Sequence, residues 1–106
     1  MRPIEFQILL TLAAGERHGY AIIQDIEQRS QGELTVETGT LYRALQRLLE
    51  NELVKATEPR RGAHDDERRR YYALTPAGKR AAAAEARWMA SLVDSARAAR
   101  LIPEAT

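Results

Sequence analysis

The spacing of apolar residues changes twice along this chain, and these changes limit the folds that it can adopt. Between residues 3 and 51, apolar residues recur every three or four positions, as in helices that bury one face. The stretches 53–58 (LVKATE) and 69–75 (RRYYALT) are short, contain β-branched or aromatic residues, and alternate in places. A helical pattern resumes after Thr75. This order predicts three helices, a β-hairpin and one final helix.

The three predicted N-terminal helices cover about residues 3–14, 19–30 and 38–51. Gly32 is expected to stop the second helix, because glycine readily adopts the left-handed conformation found at helix ends. Asn51 is expected to play the same part after the third helix. With 106 residues, the chain is long enough to form a hydrophobic core.

The third predicted helix carries an unusual set of side chains opposite its apolar stripe. The stripe consists of leucines at helical spacing: Leu41, Leu45, Leu48 and Leu49. The opposite side has no acid before Glu50, and its hydroxyl, aromatic and arginine side chains can bond to phosphates or base edges. The candidate DNA-binding residues are Thr38, Thr40, Tyr42, Arg43 and Arg47. The alternative is that Tyr42 packs partly on the core and the threonines only cap the helix.

The segment between the two predicted strands contains proline, glycine and charged residues, which predicts a hairpin with a long solvated tip. Basic residues bracket this tip, and Arg60, Arg61 and Arg68 are expected to contact DNA phosphates or the minor groove. Acidic residues at 65–67 lie among them. The alternative is therefore a loop whose charges neutralise one another.

The final helix is predicted to begin with Thr75 as its N-cap and Pro76 in its first turn. About 25 residues would give it a length near 37 Å, and Pro103 is expected to end it. Small and apolar residues form one seam at helix-pairing spacing: Ala81, Ala84, Trp88, Leu92, Ser95 and Ala99. We expect this seam to pair with a second copy of the chain. The alternative is a flat aromatic ligand that stacks on Trp88.

Composition excludes several classes of function. The chain has no cysteine, which rules out disulfides, thiolate catalysis and cysteine metal sites. No apolar run approaches about 18 residues, and an acid interrupts the apolar N-terminal stretch, so a soluble cytoplasmic protein without a signal peptide is expected. With two histidines and no paired carboxylates in a plausible pocket, neither an enzyme nor a cofactor or metal site is expected.

The net charge of the chain is only +1, so it gives no indication of nucleic-acid binding. Its distribution is asymmetric: residues 1–37 carry three basic and six acidic residues, whereas 38–72 carry eight and six, and 73–106 carry five and three. The basic excess therefore lies in the part of the chain that contains the third helix and the hairpin.

The predicted order of helices and hairpin is that of a winged helix-turn-helix. Three sequence blocks then resemble the PadR family of transcriptional regulators: HGYAI at 18–22, GTLYRALQRLLENELV at 39–54 and RRYYALTPAGKR at 69–80. The short tail is similar to the compact branch of that family, which has a single C-terminal helix. The order of elements predicts a mainly helical fold with a small β-hairpin, divided into a winged helix-turn-helix DNA-binding domain at 1–75 and a C-terminal dimerisation helix at 76–106.

The resemblance also implies a homodimeric repressor that binds double-stranded DNA at a palindromic operator, and suggests release by a small aromatic effector. Two positions depart from the family pattern. Glu52 stands where family members usually carry glycine, and Glu37 stands where many carry serine or aspartate. Because glutamate is a poor N-cap, the third helix is expected to be capped at Thr35 or Thr38 instead. An alternative function is a winged helix that binds only protein.

Overall fold

The computed structural model describes residues 1–57 and 70–103. Within them lie four helices and three strands: α1 Pro3–Ala13, β1 Arg17–His18, α2 Gly19–Arg29, α3 Thr38–Glu50, β2 Val54–Thr57, β3 Tyr71–Leu74 and α4 Pro76–Ala98. The predicted fold class, a mainly helical winged helix-turn-helix with a C-terminal helix, is confirmed.

The sheet has one strand more than the predicted hairpin. Its order is β1–β3–β2, and both pairings are antiparallel. β1 pairs Arg17 with Tyr72 and His18 with Tyr71, which joins the segment before α2 to the hairpin. A strand of two residues has no detectable alternation, so the sequence offered no signal for it.

One apolar core unites the first three helices and the hairpin. Each element contributes the stripe that its spacing predicts, and these residues are buried: Ile8, Leu9, Leu12, Ile22, Ile26, Leu41, Ala44, Leu45, Leu48, Val54 and Tyr72. Leu49, expected in the stripe of α3, is only partly buried and packs against the edge of the core. The exposed side of α3 is therefore fixed by the burial of its leucines.

Three of the helices end in the same hydrogen-bonded turn, a Schellman motif with one left-handed residue. That residue is Gln31 after α2, Glu52 after α3 and Arg100 after α4, with φ of 57°, 58° and 61°. The expectation for Asn51 is wrong, because its φ of −89° is right-handed and Glu52 takes the left-handed position. Gly32 does have a positive φ, but it follows the left-handed Gln31 rather than stopping the helix itself.

The beginning of α4 is fastened to the end of α3. The Thr75 hydroxyl oxygen accepts a hydrogen bond from the Gly78 N–H at 2.9 Å and donates one to the Glu52 carbonyl at 2.7 Å. The Thr75 N–H also donates to the Leu53 carbonyl at 3.1 Å. A Cβ at Gly78 would overlap that carbonyl oxygen, so glycine is required for this close approach.

The helix α4 has 23 residues and is therefore about 35 Å long. It ends at Ala98, five residues before Pro103, because Arg100 turns left-handed there. Its first turns contact α1 and β3, and most residues beyond them are exposed. The expected functional division between 1–75 and 76–106 stays a prediction. None of the helices in the described ranges has the length and hydropathy needed to cross a membrane.

Candidate nucleic-acid interface

The outermost side of α3 lies opposite its buried leucines. The positions there follow the four-three-four spacing of one helical face: Gly39, Arg43, Gln46 and Glu50. All four are exposed. Arg43 lies at the centre of this outward face, and its Nη2 is 3.4 Å from the Thr40 hydroxyl oxygen. Gln46 was not among the candidate residues, although its position three residues after Arg43 was a sufficient signal.

Tyr42 lies at the side of this face and contacts the beginning of α2. A Cβ at Gly19 would lie only 2.5 Å from the Tyr42 hydroxyl oxygen, so the absence of a side chain at Gly19 makes room for the phenol. Tyr42 is nevertheless 46% exposed. The packing alternative and the binding hypothesis for this residue are therefore compatible, since one part of the ring packs while the remainder faces solvent.

An aromatic cluster next to Tyr42 organises the N-terminus of α2. His18 is the N-cap, and its Nδ1 accepts a hydrogen bond from the Ala21 N–H at 3.2 Å. Its imidazole lies parallel to the exposed Tyr20 ring and meets the Tyr71 ring edge-on at 5.6 Å between centroids. Tyr20 and Tyr42 thus place two phenols near a helix N-terminus, where backbone N–H groups and the helix dipole favour phosphate.

The structure does not bring Arg47 to the outward face. Its Nε donates to the Glu5 carboxylate at 2.7 Å, which links α3 to α1. Burial alone would raise the pKa of Glu5, but the hydrogen bonds from Arg47 and Arg2 and their positive charges together hold it below its ordinary value of 4.5. This pair holds the Arg47 side chain towards α1.

The two candidate threonines are also separated. Thr38 is exposed at the first position of α3, whereas Thr40 is half-buried and lines a cleft beside α1. The expectation that Thr35 or Thr38 caps α3 is wrong, because Glu37 is the N-cap and α3 begins at Thr38. The Glu37 side chain makes no capping hydrogen bond. Arg60, Arg61 and Arg68 lie outside the described residues.

The predicted pairing seam of α4 forms one side of that helix. Trp88 and Leu92 at its centre are 59% and 49% exposed, Ala81 is half-buried, and Ala84, Ser95 and Ala99 are exposed. A large aromatic residue and a leucine on an exposed helical side form an apolar stripe that is unfavourable in water. The role of this stripe as a dimer or ligand interface stays a prediction.

Solved structures with this fold include PadR family regulators. The PadR family transcription regulator from Clostridium difficile has a TM-score of 0.76 and 26% identity, over 89% of this chain and 94% of that chain. Bacillus subtilis PadR, crystallised in complex with operator DNA, has a TM-score of 0.63 and 22% identity, over 76% of this chain and 45% of that chain. At that identity, the second likeness shows the fold alone.

Two proteins are related in sequence. A 37.1 kDa protein in transposon TN4556 of Streptomyces fradiae is 42% identical over 85 residues, which are 80% of this chain and 22% of that protein. A protein of Lysinibacillus sphaericus is 33% identical over 72 residues, which are 68% of this chain and 64% of that protein. This chain therefore spans less than two thirds of the length of either relative.

The sequence profile described as the transcriptional regulator PadR-like family matches residues 8–84. That range begins in α1, ends in α4, and contains all three of the sequence blocks that resembled the family. The match covers more than half of the chain. The chain belongs to the PadR-like family of transcriptional regulators.

Proposed function

We propose that this protein is a transcriptional repressor that binds a palindromic operator in double-stranded DNA as a homodimer. The observation that carries the proposal is the outward face of α3, where Arg43 and Gln46 project from an exposed helix with Tyr42 at its side. Arginine and glutamine can each form paired hydrogen bonds to base edges in the major groove. Bacillus subtilis PadR, which has the same fold, was crystallised in complex with operator DNA.

The homodimer is supported by the exposed stripe at Trp88 and Leu92. Pairing two copies through α4 would cover both stripes and give one assembly with two α3 helices. Two reading helices about 34 Å apart would fit successive major grooves on one side of the duplex, and the two-fold symmetry would match a palindrome.

Binding to duplex DNA at several salt concentrations tests the proposal. A fluorescently labelled fragment from upstream of the gene should bind more tightly than a scrambled duplex, and the affinity should fall steeply as salt increases because phosphate contacts release counterions. Weak binding to both duplexes without a salt dependence would contradict the proposal. It would favour the alternative function, a winged helix that binds only protein.

A second proposal is that a small aromatic effector stacks on Trp88 and releases the DNA. It is supported by the exposure of this indole on a stripe that would lie between two copies. An effector can change DNA affinity only if it prefers one arrangement of the two reading helices. Planar cationic or phenolic compounds should quench the Trp88 fluorescence and weaken operator binding. Unchanged fluorescence across a broad panel would leave Trp88 as a packing residue.

A further inference from the structure

A half-open cleft lies on the side of α3 that faces α1, next to the segment joining α2 to α3. Its volume is about 480 Å³, a size typical of small-molecule sites. Its walls are mainly apolar side chains from α1, α2 and the joining segment, among them Ile4, Ile26, Leu34 and Val36. No residue of α4 lines it, so it is separate from the stripe around Trp88.

The joining segment is held in place by hydrogen bonds, so this wall of the cleft is already formed. The Val36 N–H donates to the Glu27 carboxylate and the Leu34 N–H to the Ser30 hydroxyl oxygen, each at 3.0 Å. The Ser30 hydroxyl in turn donates to the Glu27 carbonyl at 2.9 Å. A ligand would therefore spend little free energy on ordering the segment.

The cleft is acidic at its rim. Glu37 lines it, whereas no lysine, arginine or histidine does. No side chain in the described ranges 1–57 and 70–103 pairs with the Glu37 carboxylate. The positive end of the α3 dipole lies at the same place, but it is equivalent to about half a charge, which is less than the full charge of the carboxylate. Arg29 donates to the lining residue Gln7 at 2.6 Å, but its charge is paired with Asp25, also at 2.6 Å, so the balance favours a cation.

We propose that this cleft binds a hydrophobic monocation, in which an amine group meets Glu37 and an aromatic or branched aliphatic body covers Leu34 and Val36. The apolar walls and the single unpaired carboxylate are complementary to such an amphipathic molecule. Because Glu37 and Thr40 belong to the beginning of α3, the ligand would contact the helix that we propose to read DNA. Binding to the cleft does not depend on that proposed function.

Nuclear magnetic resonance of the ¹⁵N-labelled full chain can test this with three probes that share one apolar body. Phenethylammonium, 2-phenylethanol and 3-phenylpropanoate carry positive, zero and negative charge. Phenethylammonium should shift the amides of Val36, Glu37 and Thr40, and bind about tenfold more tightly than the alcohol, as expected for one charge-assisted hydrogen bond. The carboxylate should bind most weakly.

Variants locate the site. Glu37→Gln should remove the preference for the cation, whereas Glu33→Gln, the same change at a residue of the same segment that does not line the cleft, should leave it unchanged. Leu34→Ala should weaken all three probes, since this side chain is 48% exposed and its loss spares the core. Circular dichroism would verify that each variant is folded.

Four results would overturn the proposal. The first is a cation preference that survives Glu37→Gln, and the second is the absence of amide shifts at millimolar probe. The third is amide shifts confined to α4, which would assign the probe to the stripe around Trp88. If amide shifts appeared only after dilution to the monomer, a second copy of the chain would be the occupant, and the proposal would also fail.

Discussion

Arg43 and Gln46 are the two side chains on which the recognition of DNA depends most directly in our proposal. Both are exposed on the outward face of α3, whereas Arg47 is held by Glu5 and Thr40 faces the cleft. The polar side chains of α3 thus fall into groups with different surroundings. A substitution at one position therefore tests a distinct part of the interface.

Replacing Arg43 by alanine should cost about 1–3 kcal/mol of binding free energy on the operator and much less on random DNA, because a guanidinium that reads a base discriminates between them. Arg87→Ala removes the same charge from the exposed side of α4 and serves as the control. Titrations of both variants on both duplexes provide the measurement. Equal losses on both duplexes would make Arg43 a phosphate contact.

Gly78 and Gly19 differ in what a new methyl group would meet. At Gly78 it would overlap the backbone carbonyl of Leu53, which cannot move aside, whereas at Gly19 it would meet the flexible end of Tyr42. Gly78→Ala should therefore lower the free energy of unfolding by about 1–3 kcal/mol, as overpacked sites do. Gly19→Ala should lower it less, while displacing the phenol and weakening DNA binding. Urea unfolding of both variants provides the measurement. A larger loss of unfolding free energy for Gly19→Ala than for Gly78→Ala would contradict the prediction.

At the scale of the elements, left-handed residues end α2, α3 and α4, and an ion pair joins α3 to α1. None of the left-handed residues Gln31, Glu52 and Arg100 is glycine, although a side chain makes this conformation unfavourable. The pair between Glu5 and Arg47 connects α1 to α3 across 42 positions of sequence. The relative position of these two helices thus depends partly on one charged contact.

Glu52→Gly should stabilise the protein by about 1 kcal/mol, because it removes the penalty of a left-handed side chain at the end of α3. Asn51→Gly is the matched control, since Asn51 is right-handed and gains no such relief. The control should be neutral or destabilising. Urea midpoints for the two variants and the parent chain decide the prediction, and stabilisation by both glycines would refute it.

The link between α1 and α3 should weaken in acid. The folded-state pKa of Glu5 lies below its ordinary value of 4.5, so its contribution to stability is present above about pH 4.5 and is lost as pH falls through the lower folded value. Glu5→Gln should therefore be less stable than the parent chain at about pH 7, and the difference should shrink towards about pH 3. Urea unfolding at both values provides the test. A difference independent of pH would mean that packing, not charge, causes the loss.

At the scale of the whole molecule, α4 extends beyond the rest of the fold. The molecule measures 51 × 29 × 25 Å, and much of its length comes from a helix of about 35 Å that packs on α1 and β3 mainly through its first turns. The uncovered part carries Trp88 and Leu92. A second copy would bury this apolar area, which favours association.

Light scattering should give the mass of two chains at micromolar concentration. Leu92→Arg should shift the equilibrium toward monomer, because it places an unpaired charge within the seam. Ala90→Arg adds the same charge on the opposite, exposed side of α4 and should leave the dimer intact. The mass of a single chain for the parent protein, or equal effects of the two arginines, would contradict pairing through this seam.

The sequence by itself determined which residues enter the core, because helical periodicity depends only on neighbours within a few positions. The stripe of α3, the Thr75 cap of α4 and the PadR-like blocks could all be identified from short stretches of sequence.

Tertiary structure decided the remainder. β1 exists because β3 lies beside it, and Arg47 is withdrawn from the outward face because Glu5 reaches it. The cleft beside Glu37 forms only where α1, α2 and α3 converge. Such features depend on contacts between residues that are distant in sequence, and local sequence patterns do not predict these contacts.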